Sequence, residues 1–333
     1  MSPKLFVSQE ILEEALGELD GSGIEVDARR DDRPLPAERL RETVAGYDGL
    51  VCLLTDRIDA GFLDACPRLK VVSNVAVGFD NIDVAAATRA GVVVTNTPRV
   101  LTEATADLAF ALLLATARRV PEGDAFLRAG RYTHWRVKQE QMGVDVFGAT
   151  LGLFGLGQIG SAVARRARGF EMTVLYHDVV RLPVEVESEL GVVYGSFEEL
   201  LARSDFVSVH APLLDSTRHR FDAEAFARMR RSAVLINTAR GPIVDEAALA
   251  TALRDGVIAG AGLDVYENEP AVHPELLELG ERVVLLPHLG SATRTTRLEM
   301  SRMAVRCARD TLLGKRPEVA VNPEVFDDPR RPV

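Results

Sequence analysis

The stretch Thr150-Leu151-Gly152-Leu153-Phe154-Gly155-Leu156-Gly157-Gln158-Ile159-Gly160 decides the fold. An apolar, strand-forming run ends in the pattern G-x-G-x-x-G, and Ser161-Ala162-Val163-Ala164-Arg165-Arg166, a helical pattern, follows at once. In that setting each glycine has a task. Gly155 makes the tight turn, Gly157 lets a pyrophosphate approach the backbone, and Gly160 lets helix and strand pack closely, while the helix N-terminus at Gln158 and Ile159 faces the phosphates. Asp178 stands 18 positions beyond Gly160, at the end of the run Thr173-Val174-Leu175-Tyr176-His177. A carboxylate there accepts hydrogen bonds from the adenine ribose and repels a 2′-phosphate, which favours NAD(H) over NADP(H). Arg181, three residues further on, would soften that preference.

Working outward, the β-forming runs continue from Thr150 to Phe154, Thr173 to Tyr176, Phe206 to Val209, Ala233 to Ile236, Gly260 to Leu263 and Val283 to Leu286. Six strands are what a dinucleotide-binding sheet needs. A separate series comes earlier, at Leu5-Phe6-Val7, Gly49 to Leu54, Val71-Val72 and Val92 to Thr95, each followed by a helical pattern. Such alternation predicts an α/β protein with two doubly wound parallel-sheet domains. Leu101 to Arg119 reads as a long helix apolar on nearly every face, hence buried, and placed between the domains. A last helix over Ala292 to Leu313 precedes a Pro-rich tail ending Asp327-Asp328-Pro329 and returns to the first domain. The expected division is therefore residues 1–99 with 290–333 for a discontinuous, flavodoxin-like substrate domain, and 100–289 for an inserted Rossmann domain.

At 333 residues two domains are expected, and the net charge of −10 disfavours nucleic acid as a partner. Cys52, Cys66 and Cys307 have neither C-x-x-C spacing nor an even count, which fits a reducing cytoplasm. No signal-like stretch opens the chain and no uncharged run of about 18 residues occurs, so neither secretion nor membrane insertion is indicated.

Hydride exchange with a hydroxyl-bearing carbon needs a proton carrier near neutral pH and a cation for an anionic substrate; histidine and arginine suit these roles. Of six histidines, His177, His210, His219 and His273 read as structural or solvated, and His134 beside Trp135 is a minor candidate. His288 follows the strand Val283 to Leu286 at its carboxyl end, where ligands bind in open α/β sheets. Asn237-Thr238-Ala239-Arg240-Gly241 and Asp264-Val265-Tyr266-Glu267-Asn268-Glu269-Pro270 follow two other strands, so three strand ends converge on one crevice. Glu269 is a suitable partner for the imidazole, since a nearby carboxylate favours the protonated ring and fixes its orientation. Position alone leaves each of these assignments open. No metal site is indicated.

Over essentially its whole length the chain resembles the D-isomer-specific 2-hydroxyacid dehydrogenases. The motifs are Val77-Gly78-Phe79-Asp80-Asn81-Ile82-Asp83, the glycine turn with Asp178, Asn237 to Gly241, Gly262 to Pro270, and Pro287-His288-Leu289-Gly290-Ser291-Ala292-Thr293. The resemblance implies that Arg240 grips the substrate carboxylate and carbonyl, that His288 is the general acid/base and that Glu269 holds and tunes it. It further implies that the N–H groups of Val77 and Gly78 bind the carboxylate, and that Thr105, Pro212, Thr238, Ala239, Asp264 and Gly290 line the cofactor. The stretch Asn96 to Asp107 looks like the glyoxylate/hydroxypyruvate reductase (D-glycerate dehydrogenase) branch. Val77, where phosphite dehydrogenases carry lysine, and Glu269, where formate dehydrogenases carry glutamine, set those branches aside. The segment from Gly130 to Thr150, with Trp135, departs from the reductase pattern. Phosphoglycerate, lactate or bulkier keto acids therefore stay open as substrates, as does an NAD(H)-sensing corepressor-like role. A homodimer, with the Leu101 to Arg119 helix in its interface, is also implied.

Overall fold

A computed structural model describes residues 2–327, so Asp328 and Pro329 of the expected tail lie outside the described residues. The chain divides into two compact units, one holding the chain up to Leu101 and again from Thr293, the other Thr102–Ala292. Both divisions fall at helix starts. Thr102 opens the helix Thr102–Ala117, and Thr293 caps the helix Arg294–Leu312 by accepting a hydrogen bond from the N–H of Thr296. The break thus comes slightly later than the 99/100 and 289/290 expected, and Gly290 remains with the second unit because its N–H is bonded to Asp264.

In the first unit five parallel strands, β1 (Lys4–Val7), β2 (Glu25–Ala28), β3 (Gly49–Cys52), β4 (Val71–Asn74) and β5 (Val93–Thr95), lie in the order β2-β1-β3-β4-β5. This is the flavodoxin-like doubly wound order. Four of these strands are visible in the sequence as apolar runs. The fifth, β2, reads Glu-Val-Asp-Ala; it sits at the sheet edge, mostly exposed, and needs no apolar face. β3 and β4 are buried throughout, as parallel strands covered on both faces must be. One cover is the returning helix Arg294–Leu312, whose Ala304, Val305, Ala308 and Leu312 pack with Leu5, Val7, Val51, Val71 and Val93. Ser73 on β4 donates to the carbonyl of Ala304 at 2.7 Å, which fixes where that helix lies.

The second unit holds seven parallel strands, β6 (Thr150–Phe154), β7 (Thr173–His177), β8 (Val192–Tyr194), β9 (Phe206–Val209), β10 (Val234–Asn237), β11 (Gly260–Leu263) and β12 (Val283–Leu285). Their order is β12-β11-β10-β9-β6-β7-β8, the Rossmann arrangement extended by one strand. The sequence pattern predicts six; the seventh, β8, is the three-residue edge strand Val-Val-Tyr, with Val193 exposed. The apolar helix Thr102–Ala117 packs on this unit's own sheet, with Ala106, Ala109, Phe110, Leu112 and Leu113 in the same core as Leu151, Leu153, Val234 and Ile236. It is not buried all round, since Glu103, Asp107 and Ala111 are not covered. Gly262 on β11 makes the close approach possible: a Cβ there would lie 2.6 Å from Leu112 Cγ and 2.8 Å from Thr116 Oγ1. No helix among the described residues is long and apolar enough to cross a membrane.

The C-terminal segment is tied to β5 by one fully buried side chain. Asn322 accepts from the N–H of Val94 and donates to the carbonyl of Val92 and to Thr88 Oγ1, at 2.8, 2.9 and 3.0 Å. Replacing it with alanine strands buried backbone groups at about 1–3 kcal/mol each. Asn322→Ala should therefore lower unfolding free energy by roughly 2–4 kcal/mol, as read from urea denaturation.

Candidate active site

The carboxyl ends of β10, β11 and β12 supply three loops, each fixed by its own backbone chemistry. After β10, the buried Asn237 folds the chain over itself. Its Oδ1 accepts from the N–H of Ala239 at 3.0 Å and its Nδ2 donates to the carbonyl of Arg240 at 2.9 Å. Arg240 is half-buried and donates from Nη1 to the carbonyl of Ala239. Gly241 then lies against the next loop so tightly that a Cβ would sit 1.8 Å from the carbonyl carbon of Tyr266. Only glycine lets the Arg240 loop and the Glu269 loop meet there.

After β12 the chain turns at His288, which takes a left-handed backbone with φ of 54°. Such a conformation costs a non-glycine residue about 1–3 kcal/mol and persists only where its surroundings fix it. Asp264, fully buried at the end of β11, does so: its carbonyl accepts from the N–H of His288 at 3.0 Å. Its two carboxylate oxygens accept from the N–H groups of Leu289 and Gly290 at 2.7 and 2.8 Å. Burial pushes the Asp264 carboxyl up, against the two N–H bonds and the nearby His288.

His288 Nδ1 lies 2.9 Å from Glu269 Oε2, and Glu269 Oε1 accepts from the N–H of Tyr266 at 3.0 Å. Tyr266 is itself held by its hydroxyl, which donates to the carbonyl of Leu286 at 2.8 Å. Burial pushes the Glu269 carboxyl up, but the bond to His288, that residue's charge, the Tyr266 N–H and Arg240 together bring it below the usual carboxylate value. Glu269 therefore stays ionised as pH falls into the ordinary carboxylate range. The stability it contributes is full above that range and is lost as pH falls through its lowered value. With Nδ1 directed at Glu269, Nε2 is the ring atom left to carry a proton to or from a ligand.

Three side chains that do not stand out in the sequence brace these loops. Glu246 Oε1 accepts from the N–H of Glu267 at 2.8 Å, Glu267 Oε2 accepts from the N–H of Glu246 at 3.1 Å, and His219 Nε2 closes on Glu267 Oε1. Glu246 opens the helix Glu246–Arg254, where an acid in the first turn looks like an ordinary surface residue. The one available signal is Glu267, two residues before Glu269.

Of the residues expected to meet a cofactor, Gly155 has φ of 93° and a Cβ there would come within 2.6 Å of Ala211 N; at Gly160 it would meet the Gly155 carbonyl oxygen at 2.3 Å. At Gly157, which caps the helix Gln158–Ala167, a Cβ would meet nothing within 4 Å. Two glycines thus serve packing and the third leaves the backbone open, which fits a phosphate-bearing ligand over Gln158 and Ile159. Asp178 Oδ2 accepts from the N–H of Leu156 in the same turn at 2.7 Å. Thr105, Asp264 and Gly290 meet, a Cβ on Gly290 being 3.4 Å from both Thr105 Cγ2 and Asp264 Oδ2. Asp264, however, is wholly enclosed and spends both oxygens on the chain's own amides. Thr238 Oγ1 is buried with no partner among the described residues, a polar atom in want of a ligand, and Pro212 is exposed beyond β9. In the first unit the carbonyls of Val77 and Gly78 accept from Asn96 Nδ2 and Asn74 Nδ2 at 2.8 and 2.9 Å. Among the described residues no group of three or more His, Cys, Asp or Glu side chains could hold a metal ion.

The fold and these loops define a nicotinamide-dependent oxidoreductase, and the comparisons specify the family. Residues 110–290 match the D-isomer specific 2-hydroxyacid dehydrogenase NAD binding domain, and the chain belongs to that family. It is an oxidoreductase acting on a CH–OH donor with a nicotinamide dinucleotide. The chain is 49% identical to a glyoxylate reductase of Korarchaeum cryptofilum over 97% of this chain and 96% of the relative. The TT0316 protein of Thermus thermophilus superposes with a TM-score of 0.89 at 44% identity, covering 96% of this chain and 99% of that one. An NADPH-dependent glyoxylate/hydroxypyruvate reductase of Sinorhizobium meliloti, solved with NADP and malonate, gives a TM-score of 0.85 at 35% identity, covering 96% and 97%.

His288→Ala removes the strongest groups that lower the Glu269 carboxyl and leaves burial less opposed. Carboxyl-carbon NMR should show Glu269 titrating at higher pH in the variant than in the wild type. An unchanged titration would mean that the two side chains do not interact in solution.

Proposed function

We propose that this chain reduces a small 2-keto acid with NADH, glyoxylate to glycolate or hydroxypyruvate to the D-2-hydroxy acid D-glycerate, with His288, Glu269 and Arg240 as its catalytic residues. The observation that carries this reading is the His288–Glu269 pair on a turn fixed by Asp264, with the Arg240 loop packed against the same segment. Bound NADH supplies the hydride. His288 donates a proton from Nε2 to the carbonyl oxygen, and the Glu269 carboxylate at Nδ1 stabilises the ring while it carries its charge. Arg240 binds the substrate carboxylate through two N–H groups and stabilises negative charge developing on the carbonyl oxygen. The N–H groups of Val77 and Gly78 add donors for that carboxylate, their carbonyls being already turned to Asn96 and Asn74. The glyoxylate reductase relatives at 44–49% identity support the substrate size.

The preference for NADH rests on Asp178. Its carboxylate is anchored to the glycine turn by the N–H of Leu156, where it meets a ribose and repels a 2′-phosphate. Thr105, Pro212, Thr238, Ala239 and Gly290 line the dinucleotide, with the orphaned Thr238 hydroxyl as the most direct support. The unit that runs up to Leu101 and again from Thr293 serves as the substrate domain, and Thr102–Ala292 as the cofactor domain. The protein works as a cytoplasmic homodimer. Exposed apolar side chains at Leu127, Trp135, Val137, Met142 and Phe147 support an apolar subunit contact.

Steady-state oxidation of NADH and NADPH with glyoxylate, hydroxypyruvate, pyruvate and phenylpyruvate tests the assignment. Turnover should be fastest with the first two acids and NADH; preference for phenylpyruvate would overturn the substrate assignment, and preference for NADPH the role of Asp178. His288→Ala should lower kcat by about 10²–10⁴-fold while the Kd for NADH stays within about threefold. Arg240→Lys should lower kcat/KM by at least about 10²-fold, because a point charge cannot reproduce a two-pronged guanidinium contact.

A further inference from the structure

Arg181 stands three residues beyond Asp178, where a free guanidinium would attract the 2′-phosphate that Asp178 repels. It is not free. Nε and Nη2 donate to Glu187 Oε1 and Oε2 at 2.8 and 2.9 Å, so one whole edge of the guanidinium is paired in the two-pronged geometry. The two partners differ sharply in environment, since the Arg181 side chain is 59% exposed and that of Glu187 only 7%. Glu187 is held from behind by the fully buried Tyr176, whose hydroxyl donates to Oε1 at 2.7 Å and accepts from the N–H of Leu182 at 2.9 Å. The Arg181 guanidinium also lies over the ring of Tyr194, 5.4 Å from its centre. The bonds from Arg181 and Tyr176 hold the Glu187 carboxyl at about 2, so the pair is charged at any working pH.

We propose that Glu187 is a specificity-determining residue: by holding Arg181 over the ring of Tyr194 it withholds from a cofactor 2′-phosphate the cation that stands three residues beyond Asp178. The proposal rests on reading Asp178 as the ribose carboxylate and adds a second layer to it. Asp178 repels the phosphate, and Glu187 denies it a partner. A buried glutamate that cannot leave its tyrosine makes a firm tether; Arg181, gripped along one edge by this residue, is released once Glu187 loses its charge.

Kd values for NADH and NADPH, measured by protein fluorescence quenching on the wild type, Arg181→Met, Glu187→Gln and the double variant, test this directly. Arg181→Met alone should leave both Kd values within about twofold, because a withheld arginine contributes nothing to NADPH binding. Glu187→Gln should tighten NADPH by about tenfold with NADH within about threefold, and adding Arg181→Met should abolish the gain. A folded Glu187→Gln protein with an unchanged ratio of the two Kd values would overturn the proposal, leaving Glu187 a staple between β7 and the helix Val184–Leu190. So would a fivefold or greater weakening of NADPH by Arg181→Met, which would show that Arg181 already engages the phosphate. If Glu187→Gln fails to fold by circular dichroism, the Arg181→Met result decides. A wild type that prefers NADPH overturns the Asp178 reading, while Arg181→Met still reports separately on the tether.

Discussion

The buried carboxylate of Asp264 is the constraint on which the site depends. Asp264 gives its backbone carbonyl and both side-chain oxygens to three successive N–H groups, those of His288, Leu289 and Gly290. These bonds hold His288 in a left-handed turn that a residue with a side chain would otherwise avoid. Burial works against the charge on Asp264, and the amides work for it. Without that charge the turn would relax, and the imidazole would lose its alignment with Glu269. A rigid scaffold is thus obtained from backbone donors, leaving the titratable side chains of the pair for chemistry.

The same economy recurs along the sheet's carboxyl edge. Asn237 closes the Arg240 loop, Tyr266 presents its N–H to Glu269, and Glu246 and Glu267 exchange backbone bonds between the two loops. Glycine supplies the contact that no other residue could, since Gly241 lies directly against the Tyr266 peptide. Parallel strands buried on both faces make this edge stiff, so small loops placed on it keep their geometry.

Much of this is legible in the residues. The glycine turn, its flanking strand and helix, and Asp178 carry their own spacing rules, and His288, Arg240 and Glu269 each follow a strand, where ligands of such sheets gather. What escapes notice has a physical reason in each case. β2 and β8 lie at sheet edges with most of their side chains not fully covered, in the patterns Glu-Val-Asp-Ala and Val-Val-Tyr, so neither needs the long apolar run that marks a covered strand. The helix Thr102–Ala117 reads as buried all round from its apolar composition, yet Glu103, Asp107 and Ala111 are uncovered and the opposite face packs on its own sheet, where Gly262 permits the close approach. Glu187, Glu246 and Glu267 look like solvated helix and loop acids in a chain with 49 acidic residues, and only long-range pairing distinguishes them. Asp264 comes forward through family resemblance as a cofactor residue; its hold on the His288 turn depends on bonds across 24 to 26 positions of sequence.

Direct hydride delivery to C2 of a 2-keto acid, with protonation on its oxygen, is the reaction of this enzyme, and its chiral product is the D-isomer. Reduction of hydroxypyruvate with NADH deuterated at the transferable C4 position, followed by mass and chiral analysis of the product, tests it most directly. One deuterium retained at C2 of glycerate, all of it in the D-isomer, is the expected result. Glycerate lacking that deuterium, or L-glycerate, would contradict it.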